Sequence, residues 1–174
     1  MPAYQGELDG LCGQYAVTNA LDLCGLGRHR QALFEAACAS AKPERWPLVL
    51  WQGTEFSDLK RMVRNCLSSP ANGLGIRARY PFSRGAPANN AAYWDAFDQA
   101  FSDGGAICAI VGLRKPNPHW VVVIPDGGRV AFIDSTPDQP VYRKNRASLY
   151  AGYRRPKPNQ WLLDRRELIV LSIA

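Results

Sequence analysis

The sequence predicts an α+β fold, with helices first and a mostly antiparallel sheet after them. Three observations carry that expectation. Apolar residues recur at helical spacing through the first hundred of the 174 residues. Short β-rich runs bounded by glycine and proline fill the remainder. One Asp-Gly turn signal joins two of those runs into a hairpin.

Taken in order, small or apolar residues at positions 12, 16, 20 and 23 predict a helix over 12–23. The stretch "RHRQALFEAACASA" (28–41) sets Leu33, Ala36, Ala37 and Ser40 along one side of a second helix. In "TEFSDLKRMVRNCL" (54–67), Thr54 is placed as the N-cap, and Phe56, Leu59, Met62, Val63, Cys66 and Leu67 form the apolar face. "NNAAYWDAFDQAF" (89–101) offers Asn90 as a cap and Trp94, Phe97 and Phe101 as a stripe. The period then changes, and 106–113, 119–125, 129–135 and 167–174 read as strands. "RRPKPNQW" (154–161) is the most linker-like stretch, but only a short strand-like run follows it. One domain over 1–174 is the economical reading.

Composition narrows the class. Nearly half the residues are apolar and aromatics are plentiful, which excludes a disordered chain. "MPAYQGELDG" lacks the profile of a signal peptide, and no apolar run approaches the ~20 residues of a membrane span. The five cysteines are odd in number and scattered, with no CxxC pair, so a reduced, cytoplasmic protein is expected, with no membrane partner. Two histidines and dispersed cysteines lack zinc-ligand spacing, and "GLGIR" and "DGG" lack a phosphate-binding context; no cofactor is expected. Trp46, Trp51, Trp94 and Trp120 read as core and cleft wall. Of the net charge of +6, the segment from Arg143 to Arg166 carries eight basic residues against one acid. It is either a solvated face or a docking patch for an acidic partner or nucleic acid.

Among the cysteines, Cys12 is singled out by "GLCGQYAVTNAL" (10–21), where it stands at the start of a helix near two glycines. A helix N-terminus offers free N–H groups and the positive end of the macrodipole, both of which favour a nucleophilic thiolate. Gly10 and Gly13 allow the tight turn and keep space beside the sulfur. Cys24, Cys38, Cys66 and Cys108 fall inside helical or strand patterns and read as core.

A thiol nucleophile needs a base. His29 sits in an exposed basic stretch, whereas His119 opens the strand "HWVVVIP". That strand turns at "PDGG" and returns as "RVAFIDS". If Asp126 and Gly127 are the central turn residues, His119 lies directly across from Asp134; if Gly127 and Gly128 are, it lies diagonally across on the same face. Either register pairs an imidazole with a carboxylate that orients it and stabilises its charged form.

The order of these residues resembles papain-like cysteine peptidases: Cys12 in "DGLCGQYAVTNAL", His119 in "PHWVVVI" and Asp134 in "AFIDS". It is similar in particular to the double-glycine leader peptidases of bacteriocin exporters and, more distantly, to Josephin-type deubiquitinases. The resemblance implies a papain-like fold and a peptide or isopeptide substrate, of ubiquitin-like or double-glycine type, cleaved through a thioester. It also implies Gln5, seven residues before Cys12, as the oxyanion-hole side chain. The same constellation serves deamidases, transglutaminases and acetyltransferases, and a non-catalytic binding module on the same fold is the alternative of a different class.

Overall fold

A computed structural model describes residues 2–5, 10–68, 73–103, 105–136, 138–152 and 156–173. Arg154, Arg155 and the last strand residue expected from the sequence, Ala174, lie outside them. The fold is mixed α+β: a helical N-terminal part and a sheet that is antiparallel except for one short pairing. The helices are α1 (Cys12–Leu21), α2 (Arg30–Ala39), α3 (Leu48–Gln52), α4 (Phe56–Ser68) and α5 (Asn90–Ser102). The strands are β1 (Ile76–Arg79), β2 (Ala106–Lys115), β3 (His119–Asp126), β4 (Arg129–Ile133), β5 (Val141–Asn145), β6 (Leu149–Tyr150) and β7 (Trp161–Ile173). The sheet order is β1-β7-β2-β3-β4-β5, with β6 pairing parallel to β7.

Both faces of the central strands are covered, and the period of two shows in which core each residue joins. Cys108, Ile110, Val122, Ile169 and Leu171 pack with α1, α2 and α4. Ala109, Val111, Val121, Val123, Leu168 and Val170 pack with Tyr93 and Phe97 of α5. This is why β2, β3 and β7 read as unbroken apolar runs rather than alternating ones.

Several boundaries differ from the sequence expectation. Helix α1 stops at Leu21, and a π-helical turn over Asp22–Leu26 follows, broken by Gly25 at φ 94°. Helix α4 begins at Phe56, so Thr54 is not its cap. Asn89, not Asn90, caps α5 by accepting from the Ala92 N–H at 2.9 Å; Asn90 instead accepts from the Ala151 N–H at 2.8 Å. Strand β7 starts six residues earlier than expected and runs through the centre of the sheet. Trp51 stands 71% exposed on α3, so it belongs to neither core nor wall. Among the described residues, no helix is long and apolar enough to cross a membrane.

Candidate active site

Cys12 is the first residue of α1, and no side chain caps that helix. The amide N–H groups of its first turn therefore lack helical acceptors, and Cys12 sits where they are concentrated. The two flanking glycines are needed for close approach. A Cβ on Gly10 would meet the Leu50 carbonyl at 2.8 Å, and one on Gly13 would meet the Thr54 side chain at 2.7 Å. The segment after α3 is thus drawn against the start of α1. The fully buried Gln14 holds it there by accepting from the Thr54 hydroxyl at 3.1 Å.

The β3–β4 hairpin supplies the other two groups. Asp126 pairs with Arg129, so Gly127 and Gly128 form the turn, with Gly127 at φ 59°. This is the second of the two registers read from the sequence, and it sets His119 diagonally across from Asp134, one residue beyond β4. His119 Nε2 and Asp134 Oδ1 are 2.6 Å apart. Both side chains are largely shielded, at 18% and 6% exposure. The Cys12 thiol interacts with the same imidazole and favours its charged form. With Nε2 committed to Asp134, Nδ1 is the ring nitrogen left for the sulfur.

Asp134 is itself tightly held. Its Oδ1 accepts from the Thr136 N–H at 3.0 Å and the Thr136 hydroxyl at 2.9 Å, and its Oδ2 from the Tyr142 hydroxyl at 3.0 Å. Burial works against its charge, but the His119 and Thr136 hydrogen bonds outweigh it and hold the carboxyl below its ordinary range. For His119, burial again opposes the charged form. The hydrogen bond to Asp134, the interaction with Cys12, and the charges of both prevail and lift the imidazole to about 10. Tyr142 is in turn pushed up by burial and by the carboxylate it bonds.

Gln5 lies next to this pair. Its N–H donates to the Ser135 carbonyl at 2.8 Å, and its Oε1 accepts from the Ser135 hydroxyl at 3.4 Å. Two bonds between Ala3 and Asn19 of α1, at 2.7 and 3.2 Å, clamp the same segment to the helix that carries Cys12. The described N-terminal residues therefore bridge α1 to the end of β4.

Cys12 and His119 open onto a cleft of about 500 Å³. Trp120 forms one wall: it is buried, stacks on Phe56 at 5.9 Å, and donates from Nε1 to the Thr54 carbonyl at 2.7 Å. Gly112, Arg114, Asp164 and Glu167 line the same cleft. Sequence patterns gave no warning of these four beyond a faint one, since Asp164 and Glu167 straddle two arginines and suggest only a charged surface. Of the other cysteines, Cys24, Cys66 and Cys108 are buried, and burial with the Cys38 charge pushes the Cys66 thiol up to about 11. Much of the basic 143–166 segment is engaged within the chain. Arg143 pairs with Asp126 at 2.8 Å, Arg146 with Asp98, and Lys144 lies 3.7 Å over the Trp161 ring. Among the described residues, no group of three or more His, Cys, Asp or Glu side chains is placed to hold a metal ion.

Comparison with known proteins gives no match: no family model, no curated protein and no solved structure matches the chain.

Proposed function

We propose that the chain is a papain-like cysteine peptidase that cleaves a peptide or isopeptide bond through a Cys12–His119–Asp134 triad. The observation that carries this reading is that Cys12, at a helix start, shares one cleft with His119, whose imidazole is hydrogen-bonded to a buried and fully bonded Asp134. In this reading the proton of the Cys12–His119 pair rests on the imidazole, and the Cys12 sulfur attacks the carbonyl carbon. The oxyanion is met by the Cys12 backbone N–H and the Gln5 side-chain amide, each donor contributing about 3 kcal/mol. His119 then protonates the leaving nitrogen as the C–N bond breaks, which leaves a thioester. Water adds to the thioester carbonyl, His119 takes its proton, and the thiolate departs, which releases the carboxylic acid and restores the starting pair. A free thiol nucleophile suits a reducing compartment such as the cytoplasm.

Selective alkylation tests the reading. A peptidyl vinyl sulfone ending in a double glycine is expected to modify Cys12 ahead of the other four cysteines, with loss of that labelling in His119→Ala. Site occupancy by mass spectrometry is the readout. Labelling spread across several cysteines, or unaffected by His119→Ala, contradicts the nucleophile–base pair.

A further inference from the structure

The part of the cleft that holds Asp164 and Glu167 is built by an irregularity in the central sheet. Val111 on β2 pairs with Leu168 on β7, while Leu113 pairs with Leu163. Between these pairs β7 has four residues, 164–167, and β2 has only Gly112. Bulges of this kind re-aim side chains, and here the bulge lies beside the reactive pair. On its other side Gly112 pairs with Trp120, and Leu113 with His119. The sheet order therefore sets the bulge two strands from the imidazole, and Asp164 and Glu167 from it line the same cleft as Cys12.

Gly112 makes room for this. A Cβ there would lie 2.0 Å from Glu167 Oε2, so any other residue would displace the carboxylate from its seat. The cleft carboxylates differ in their partners. Glu55 is held by Arg45 at 3.3 Å. Asp164 is held by the Arg114 guanidinium and by the Arg166 N–H at 2.9 Å. Glu167 is in no ion pair among the described residues. Burial, and then the Asp164 charge, raise its carboxyl to about 7, with Arg114 pulling only partly the other way. A half-buried carboxyl without its own cation is costly to ionise, and a substrate cation that pairs with it favours its ionised form.

We propose that Glu167, seated by the β2–β7 bulge and reinforced by Asp164, selects substrates with an arginine or lysine side chain within three residues of the bond to be cleaved. This inference rests on Cys12 and His119 acting as the hydrolytic pair. The test uses acetylated tripeptide vinyl sulfones with arginine, or its neutral isostere citrulline, moved through the three positions. Second-order labelling rates of Cys12 are measured. At one position the arginine probe is expected to react about tenfold faster, the size of one partly buried ion pair, with the ratio falling as salt is raised. In Glu167→Gln the ratio should collapse toward one. If that variant does not fold, the salt dependence in the unaltered protein decides the matter. Equal labelling of Cys12 by both probes, or a preference that survives Glu167→Gln in folded protein, overturns the charge selection and leaves the cysteine reading standing. Failure of both probes to label Cys12 overturns both.

Discussion

Replacing Cys12 with alanine is expected to abolish peptide hydrolysis, with kcat falling by at least about 10⁴-fold, while the protein stays folded. Loss of the nucleophile removes the covalent route through the Cys12 sulfur. The structural cost is small. Cys12 lies at the margin of the core and is 8% exposed, so deleting one sulfur atom should cost about 1 kcal/mol. Thermal melting and turnover of the same preparation separate the two effects. Hydrolysis retained by a well-folded Cys12→Ala protein would remove the nucleophile from the account.

Asp134→Ala should lower kcat by about 100-fold or more and destabilise the protein as well. The carboxylate receives His119, the Thr136 N–H and hydroxyl, and the Tyr142 hydroxyl, so its removal leaves several shielded donors without an acceptor. Breaking a buried pair from one side costs about 3 kcal/mol. Asp134→Asn behaves differently. Its Oδ1 can still accept from His119 and Thr136 while its Nδ2 faces the Tyr142 oxygen, so it keeps more activity than alanine but loses the charge.

The stability lost in Asp134→Ala should depend on pH in a defined sense. His119 is lifted from 6.5 to about 10, so its contribution is fully present below pH 6.5 and is lost as pH rises toward 10. Asp134 is lowered from 3.8, so its contribution is present above that value and is lost as pH falls through its depressed one. The destabilisation is therefore largest between about pH 4 and 6.5 and shrinks toward pH 10. Urea unfolding of both proteins at pH 5, 7 and 10 measures it. A difference that grows with pH would contradict the ion pair.

Local pattern decides some elements of this fold, and those are legible in the sequence. The helical stripe after Cys12 and the "PDGG" turn between β3 and β4 are local signals. The hairpin register follows arithmetically from the turn, so the turn residues alone bring His119 and Asp134 together. The turn's phase stays open in the sequence because "PDGG" can place two different dipeptides at its centre, and the Gly127–Gly128 choice sets the diagonal pairing.

Other elements are decided by distant partners. Strand β1 has four residues, three of them arginine or alanine, and takes its shape from pairing with β7. Strand β5 is a polar edge whose alternating exposure gives no apolar signal. The early part of β7 is masked by its own bulge, which places Asp164, Arg165, Arg166 and Glu167 in succession and breaks the period that would mark a strand. The acidic wall of the cleft is hidden for the same reason: it exists only where β7 meets Gly112. Thr54, read as a helix cap, is instead held against α1 by Gln14 and Trp120, contacts across 40 and 66 residues of chain.

If Cys12 is the nucleophile, the acyl group of the substrate passes through its sulfur, and acid-quenched trapping detects that step. A peptide ester that reaches the thioester faster than water releases it is mixed with the protein and quenched within the first turnover. The N-terminal tryptic fragment ends at Arg28 and contains both Cys12 and Cys24, so fragmentation must place the adduct between them. The expected result is the mass of the acyl half of the substrate on Cys12, absent in Cys12→Ala and decaying as the carboxylic acid appears. Turnover with no acyl adduct under conditions that preserve thioesters, or an adduct on another residue, would contradict it.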